Sequence, residues 1–454
     1  MDVSIKKEKN RSLITQIIVF AIPLMLTGFL QLLYNACDLM VVGNFAGDRS
    51  DVSLAAVGAN TSLISLIFNV FFGLSIGANI VISNAVGEKN IEKGQRALHS
   101  SILLSLICGV LLGLICMIFA EVFLVWTDCP SEVLPYATTY LRIYLIGAPA
   151  NLLFNFAQSN LRAVKDTKTP LIILGITGLI NLILNYIFVA HFHMAVEGVA
   201  IATVVAQYLS AITVMVVLIK SNNPYIKFSF HKLRFYSKET KELVLHGIPA
   251  GFQGSIFSLS NVILQSAVNS FNTVVMSGKS AAFSIDNFVY QAMNSFYTAT
   301  IVFMGQGYGA KDVKKMKNTF WLCNLCVIII SFLLGGFIMI FSTPLASLYT
   351  DTEEAIDACR KIMFTVLPLY FICGCNEVAC GALRSLKHPL LPTCVSLVFI
   401  CGVRIIWVYT VFRMKHDIQV LYLSYPLSWL IAWIIHIILY FVLRKKSIQK
   451  CLEA

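Results

Sequence analysis

Long apolar blocks recur along these 454 residues, each followed by a short polar connector. A helix needs about 20 apolar residues to cross the hydrocarbon of a bilayer, and it must satisfy its backbone hydrogen bonds internally. Twelve blocks meet that length, at approximately 14–42, 55–84, 97–121, 135–160, 169–190, 195–219, 240–270, 280–308, 318–343, 358–383, 389–412 and 419–443. Only 13% of the residues are charged, too few to cover a water-facing surface of this size. The predicted fold class is all-α integral membrane, with twelve transmembrane helices. The first block is long and lacks a small-residue cleavage site, so it reads as a retained span rather than a signal peptide.

The net charge is +11, and its placement points to topology rather than nucleic acid. Basic residues fill alternate connectors: Lys6 to Arg11, Lys89 to Arg96, Arg162 to Lys168, Lys220 to Lys241, Lys311 to Lys317, Arg384 with Lys387, and Arg444 to Lys450. The connector 120–134 has no Lys or Arg and carries Glu121, Asp128 and Glu132. The positive-inside rule then places both termini in the cytoplasm, which an even number of spans requires. The expected location is the plasma (inner) membrane.

The two halves resemble each other at an offset of about 222–226 residues. Ile22-Pro23 answers Ile248-Pro249, GEKNIEKGQRA from Gly87 answers GAKDVKKMKNT from Gly309, and Leu161-Arg162 answers Leu383-Arg384. Ordered landmarks of this kind mark an internal repeat. Six spans per half is an even number, so both halves enter the membrane in the same sense and form a parallel pseudo-two-fold repeat. The expected organisation is an N-terminal segment 1–12, an N-lobe 13–219, a basic and partly amphipathic linker 220–239, a C-lobe 240–443 and a basic tail 444–454.

Polar residues inside spans carry the candidate chemistry. Thr27, Gln31, Asn35 and Asp38 share one face of the first span. An aspartate at membrane depth costs roughly 2.5–3.5 kcal/mol on insertion scales and persists only if paired, protonated or bound to a cation. Asp38 is therefore a coupling site, a structural carboxylic acid bonded to a neighbour, or an interfacial residue beyond the span's end. Asn181 and Asn185 share a face of the fifth span, and Thr203 lies in the sixth. Their oxygens suit a cation or a protonated carboxyl, and they serve equally as glue between helices. In the second half Asn261 and Gln265 mark one face of the seventh span, and Asn287, Gln291 and Asn294 one face of the eighth, with Asp286 beside it. Glu377 and Arg404 are further deep charges, open to pairing with each other or with Asp286. Tyr34, Tyr290, Met293 and Tyr297 would suit flat cationic ligands if they faced a cleft. The thirteen cysteines are scattered without metal-ligand spacing and read as packing residues, with a Cys129–Cys359 disulfide as the alternative for one pair.

At this point the chain resembles the multidrug and toxic compound extrusion (MATE) transporters. The matching segments are IPLMLTGFLQLLYNACDLMVVGNFAG (22–47), LAAVGANTS (54–62), GLSIGANIVISNAVGEKN (73–90), LRAVKDTKTPL (161–171) and AAFSIDNFVYQAMNSF (281–296). The last is similar to the bacterial branch, which includes DNA-damage-inducible members. The resemblance implies export of small organic, often cationic, compounds against an inward flow of protons or sodium, with no cofactor beyond the coupling ion. It implies that Asp38 carries that ion, with Gln31, Asn181 and Thr203 around it. The chain departs from the family at Asn185, where a second aspartate is frequent, and at Lys165, where a glycine is frequent. The substrate cleft would draw on Asn35, Tyr34, Asn261, Gln265, Asp286, Asn287, Gln291, Asn294, Glu377 and Arg404.

Other readings are less well served. A lipid-linked precursor flippase would need a strongly basic central cavity. A membrane enzyme would need a converging His cluster or a Ser/His/Asp set. The expected partners are small organic substrates and membrane lipid, without nucleic acid, and the expected state is a monomer.

Overall fold

The computed structural model describes residues 12–45 and 50–453. The basic run Lys6 to Arg11 and the end of the first matching segment at 46–47 lie outside them. Every regular element among the described residues is helical. Twelve long rods succeed one another: α1 (Leu13–Phe45), α2 (Ser50–Gly87), α3 (Ile91–Ile118), α4 (Leu134–Ile146 and Ala148–Ala163), α5 (Lys168–His191), α6 (Val196–Ile219), α7 (Ser237–Val268), α8 (Thr273–Gly309), α9 (Val313–Ile340), α10 (Glu353–Ser385), α11 (Leu390–Met414) and α12 (Ile418–Lys446). Each overlaps one predicted span. Among the described residues, nine of these helices are long and apolar enough to cross a membrane on length and composition alone. The break in α4 falls at Gly147, where Pro149 in the first turn of the second piece has no N–H to continue the ladder.

The packing is inverted relative to a water-soluble protein. Along α5, Ile172, Ile176, Leu179 and Ile183 are exposed, whereas Thr177, Gly178, Asn181 and Asn185 are buried. An apolar stripe outward and a polar stripe inward is stable only if the surrounding solvent is lipid.

Close packing defines two compact units. One comprises Leu26–Val86 and Asn90–Gly251; the other takes the residues up to Met25, Gly87–Lys89 and everything from Phe252. In the latter, Ile17, Phe20, Ala21 and Leu24 of α1 join a core with Val302 and Phe303 of α8, and the rings of Phe20 and Phe303 meet edge to face at 5.6 Å. In the former, α2 and α7 touch backbone to backbone through two G-x-x-x-G segments. A Cβ on Gly73 would stand 2.0 Å from the Gly251 nitrogen, and one on Gly77 would stand 2.2 Å from the Leu243 carbonyl oxygen. Small residues at this spacing allow such an approach.

The repeat reappears in backbone detail. Lys89 and Lys311 (φ 56° each) and Lys165 and Lys387 (φ 68° and 65°) all adopt the left-handed conformation just past helix ends. After each, the next N–H reaches back five residues: Asn90 to Ala85, Asp312 to Gly307, Asp166 to Leu161, His388 to Leu383. This is the Schellman helix stop, which favours glycine at the left-handed position. The departure at Lys165 thus falls at a backbone position that has a physical reason to prefer glycine. At the first pair of turns the following Asn90 and Asp312 cap the next helix, accepting N–H bonds from Lys93 and Lys315 at 2.9 Å each. The G-x-K-[ND] pattern therefore spells one helix stop followed by one helix start.

The alternative of a Cys129–Cys359 disulfide is corrected: both are free thiols, and Cys359 is fully buried.

Candidate functional site

Helix α1 is fixed against α5 by Tyr34. Its hydroxyl donates to the Gly175 carbonyl at 3.1 Å, and its ring lies where a Cβ on Gly178 would be, 2.0 Å away. Tyr34, expected in the substrate cleft, is instead a clamp, because Gly178 on α5 leaves room for its ring. One turn further along both helices, the clamp brings Asp38 beside Asn181 and Asn185. Asn185 Nδ2 donates to Asp38 Oδ1 at 2.5 Å. In the amide orientation that pairs both its ends, Asn181 also donates to Asp38 Oδ1 at 3.0 Å and accepts from the Thr203 N–H at 3.3 Å. Asn185 Oδ1 is buried without a partner. Among the described residues, no Lys, Arg or His nitrogen lies within 4.0 Å of the Asp38 carboxylate. The knot is extended towards α6 by Ser210, whose hydroxyl donates to Thr177 Oγ1 at 2.8 Å. On the same face of α1, Thr27 is buried while Gln31 and Asn35 are exposed.

Gly178→Val is expected to disturb this arrangement more than Tyr34→Phe. The valine must push the ring and α1 away, whereas phenylalanine loses one hydrogen bond worth about 1 kcal/mol. Transport by reconstituted protein should fall severely in the first variant and modestly in the second.

The second-half residues behave differently. Asp286 Oδ2 accepts the Tyr370 hydroxyl at 3.0 Å, while its other oxygen is buried without a partner. Arg404 is buried, donates from Nε to Ser428 Oγ at 3.1 Å, and stacks over Tyr425 with its guanidinium carbon 3.9 Å from the ring centroid. The expected pairings among Glu377, Arg404 and Asp286 are therefore corrected: none of the three forms an ion pair within 4.0 Å among the described residues. Aromatic faces and a hydroxyl stabilise the arginine in place of a carboxylate. Gln265 is engaged at the α7–α8 turn, bonded to Asn269 at 2.8 Å and to Lys279 at 2.6 Å. Asn287 bonds back to the Phe283 carbonyl of its own helix at 3.0 Å. Asn261 is exposed, and Gln291, Asn294 and Glu377 are half-buried. Met293 is buried, receiving the Ser331 hydroxyl on its sulfur at 3.6 Å, and so it packs within its bundle instead of lining a cleft.

One group escaped the sequence reading. The charge pattern places Arg384 in a connector, yet it is buried in the last turn of α10. It donates to Tyr297 Oη and, at 2.7 Å, to Gln253 Oε1. Its repeat mate Arg162 likewise ends α4, donating to Gln158 Oε1 at 2.8 Å. A basic residue at a span's end looks the same whether it turns outward or inward; only the partners on α7 and α8 decide. Arg384→Met is expected to destabilise the protein by about 3 kcal/mol, because it removes the charged donor from Tyr297 and leaves Gln253 only the Cys380 thiol. The melting temperature in detergent checks this, and Arg384→Lys should recover little of the loss.

Twelve long helices in a repeated six-plus-six order, with the Asp38 carboxylate held among amides inside the first of them, define a multi-pass secondary transporter of two-lobe architecture. The MatE family model matches residues 23–187 and again 249–410, once in each repeat, and the chain belongs to that family. It is 25% identical to "Probable multidrug resistance protein YoeA" of Bacillus subtilis, covering 99% of this chain and 98% of that protein. It is 24% identical to DNA damage-inducible protein F of Escherichia coli, covering 66% of this chain and 64% of that protein. Among solved structures, a MATE crystallised in complex with MaL6 superposes with a TM-score of 0.87 at 20% identity, covering 97% of each chain, a likeness of fold.

Proposed function

We propose that the protein exports small organic, often cationic, compounds by alternating access and that Asp38 carries the coupling proton or sodium ion. The observation that carries the reading is that the Asp38 carboxylate meets amides of α5 and, among the described residues, no counter-ion. In a membrane-spanning helix its charge is costly unless hydrogen-bond donors or something positive accompany it. Amide donors from Asn181 and Asn185 steady the bare carboxylate, and their oxygens, by turning inward, can join a cation's shell instead. The site therefore accommodates both the empty and the loaded state with small side-chain movements. The coupling set is Asp38, Gln31, Asn181, Asn185 and Thr203. The two repeats, 13–219 and 240–443, serve as the lobes that alternate, with Asn35, Asn261, Asp286, Asn287, Gln291, Asn294, Glu377 and Arg404 as the polar residues available to a substrate. The names of the curated relatives support drug export. The protein acts as a monomer in this reading.

The test is transport of a fluorescent organic cation in vesicles under an imposed proton or sodium gradient. The reading expects one gradient to drive dye uphill while its collapse stops transport. Dye movement indifferent to both gradients overturns it.

A further inference from the structure

The connector between α6 and α7 does more than span a gap, and we propose that it is a docking surface for anionic lipid headgroups of the membrane that the chain itself crosses. The segment is strapped to the first turns of α3. Gln95 Nε2 donates to the Pro224 carbonyl at 2.9 Å, and Lys232 Nζ donates to Gln95 Oε1 at 2.9 Å. His99 Nε2 accepts the Ser229 N–H at 3.0 Å, and Ser100 Oγ accepts the Tyr236 N–H at 3.1 Å. Ile226 and Phe228 are buried beneath the strap, with Phe228 stacked on the His99 ring at 5.1 Å.

This anchoring fixes what is left outside. Between the buried Ile226 and Phe228, Lys227 points outward, as alternation along extended chain requires. Beyond them Phe230, its ring edge to face with Phe228 at 5.1 Å, is still 68% exposed, and Phe235 is 44% exposed. Around these two rings Lys238 and Lys241 are exposed, as are Lys232, whose ammonium also holds Gln95, and Arg234, whose guanidinium lies 4.8 Å from the Tyr236 ring centroid. The acids are withdrawn: Glu239 is buried, and Glu242 lies 3.9 Å from Lys93. The outward surface is thus cationic with interleaved phenylalanines. That composition suits the interface of a bilayer, where rings enter the headgroup layer and ammonium groups meet lipid phosphates. Location favours a lipid over a soluble acidic partner. The strap rests on α3 and follows α6, both membrane-crossing, so its reach is within a few residues of the headgroups.

The probe is full-length protein carrying Phe230→Trp, reconstituted in vesicles of phosphatidylcholine with phosphatidylglycerol, with bromine placed on one lipid or the other. The fluorescence increment over wild type reports the ring at position 230. Quenching is expected to be stronger when the anionic lipid carries the bromine. That preference should fall about fivefold for each charge removed in Lys227→Gln, Lys238→Gln and Lys241→Gln, and should weaken between about 0.15 M and about 1 M salt. Equal quenching by both lipids, or none, overturns the proposal. Hydrogen exchange of the wild-type linker gives a second readout independent of the tryptophan. Anionic lipid should slow it, and slowing by inorganic phosphate alone, or only by an added acidic protein, overturns the membrane assignment.

Discussion

Asp38→Asn is expected to reduce gradient-driven efflux to the level of vesicles without the protein, while leaving expression and melting temperature at or above those of the wild type. The substitution keeps the size of the side chain and an oxygen able to accept the Asn185 amide, 2.5 Å away in the native site. What it removes is the ability to change charge. A neutral amide neither needs a cation nor releases one, so the empty and loaded states become indistinguishable and the gradient has no handle. Stability should not suffer, since replacing a membrane-embedded charge by a neutral isostere relieves a desolvation penalty. Transport near the wild-type rate would refute the assignment of Asp38. The neighbouring substitution Asn185→Asp sharpens the test. It would set two carboxylates in direct contact, which cannot both remain ionised without a cation between them. Sodium dependence of transport is expected to rise in that variant, measured as the sodium concentration giving half-maximal rate.

A second large effect is expected at the contact between α2 and α7. On all four glycines an added Cβ would meet backbone atoms: Gly73 against Gly251 nitrogen at 2.0 Å, Gly77 against the Leu243 carbonyl at 2.2 Å, Gly247 against Leu74 Cα at 2.5 Å and Gly251 against the Val70 carbonyl at 2.2 Å. No rotamer change can move backbone aside, so the two helices must separate. Gly73→Val should lower the melting temperature in detergent sharply and reduce the amount of folded protein in the membrane. Gly73→Ala should cost about 1–3 kcal/mol. Because Gly73 and Gly251 share one contact, the double alanine variant should cost less than the sum of the singles. Alanine variants as stable as the native protein would show that the helices need not touch.

The architecture was legible in the sequence because lipid leaves so few options. Span lengths, basic connectors and the ordered landmarks of the repeat each follow from one constraint. Asp38 and its partners were legible for a related reason: polar residues at helical spacing stand out in an apolar block. Other residues were not legible. Tyr34 reads equally as a ligand-facing ring or a packing ring until Gly178 of α5 is seen opposite it. Arg384 looks like one more topological charge, since its partners Gln253 and Tyr297 are far away in sequence. Arg404 invites a carboxylate partner on charge alone, whereas rings on α12 stabilise it instead.

The four left-handed lysines carry a consequence beyond the folded state. At Lys89, Lys165, Lys311 and Lys387 a glycine would sit without strain, and a side chain there is opposed by roughly 1 kcal/mol or more. In the folded protein the Lys387 ammonium lies 5.6 Å from the Tyr308 ring centroid. A ribosome-bound chain being threaded into a bilayer draws on all four ammonium groups, because flanking cations decide which end of each hairpin stays behind. Part of this sequence is therefore addressed to a single moment of synthesis, at a lasting expense to equilibrium stability. A glycine-relaxed version would melt later and be inserted less faithfully.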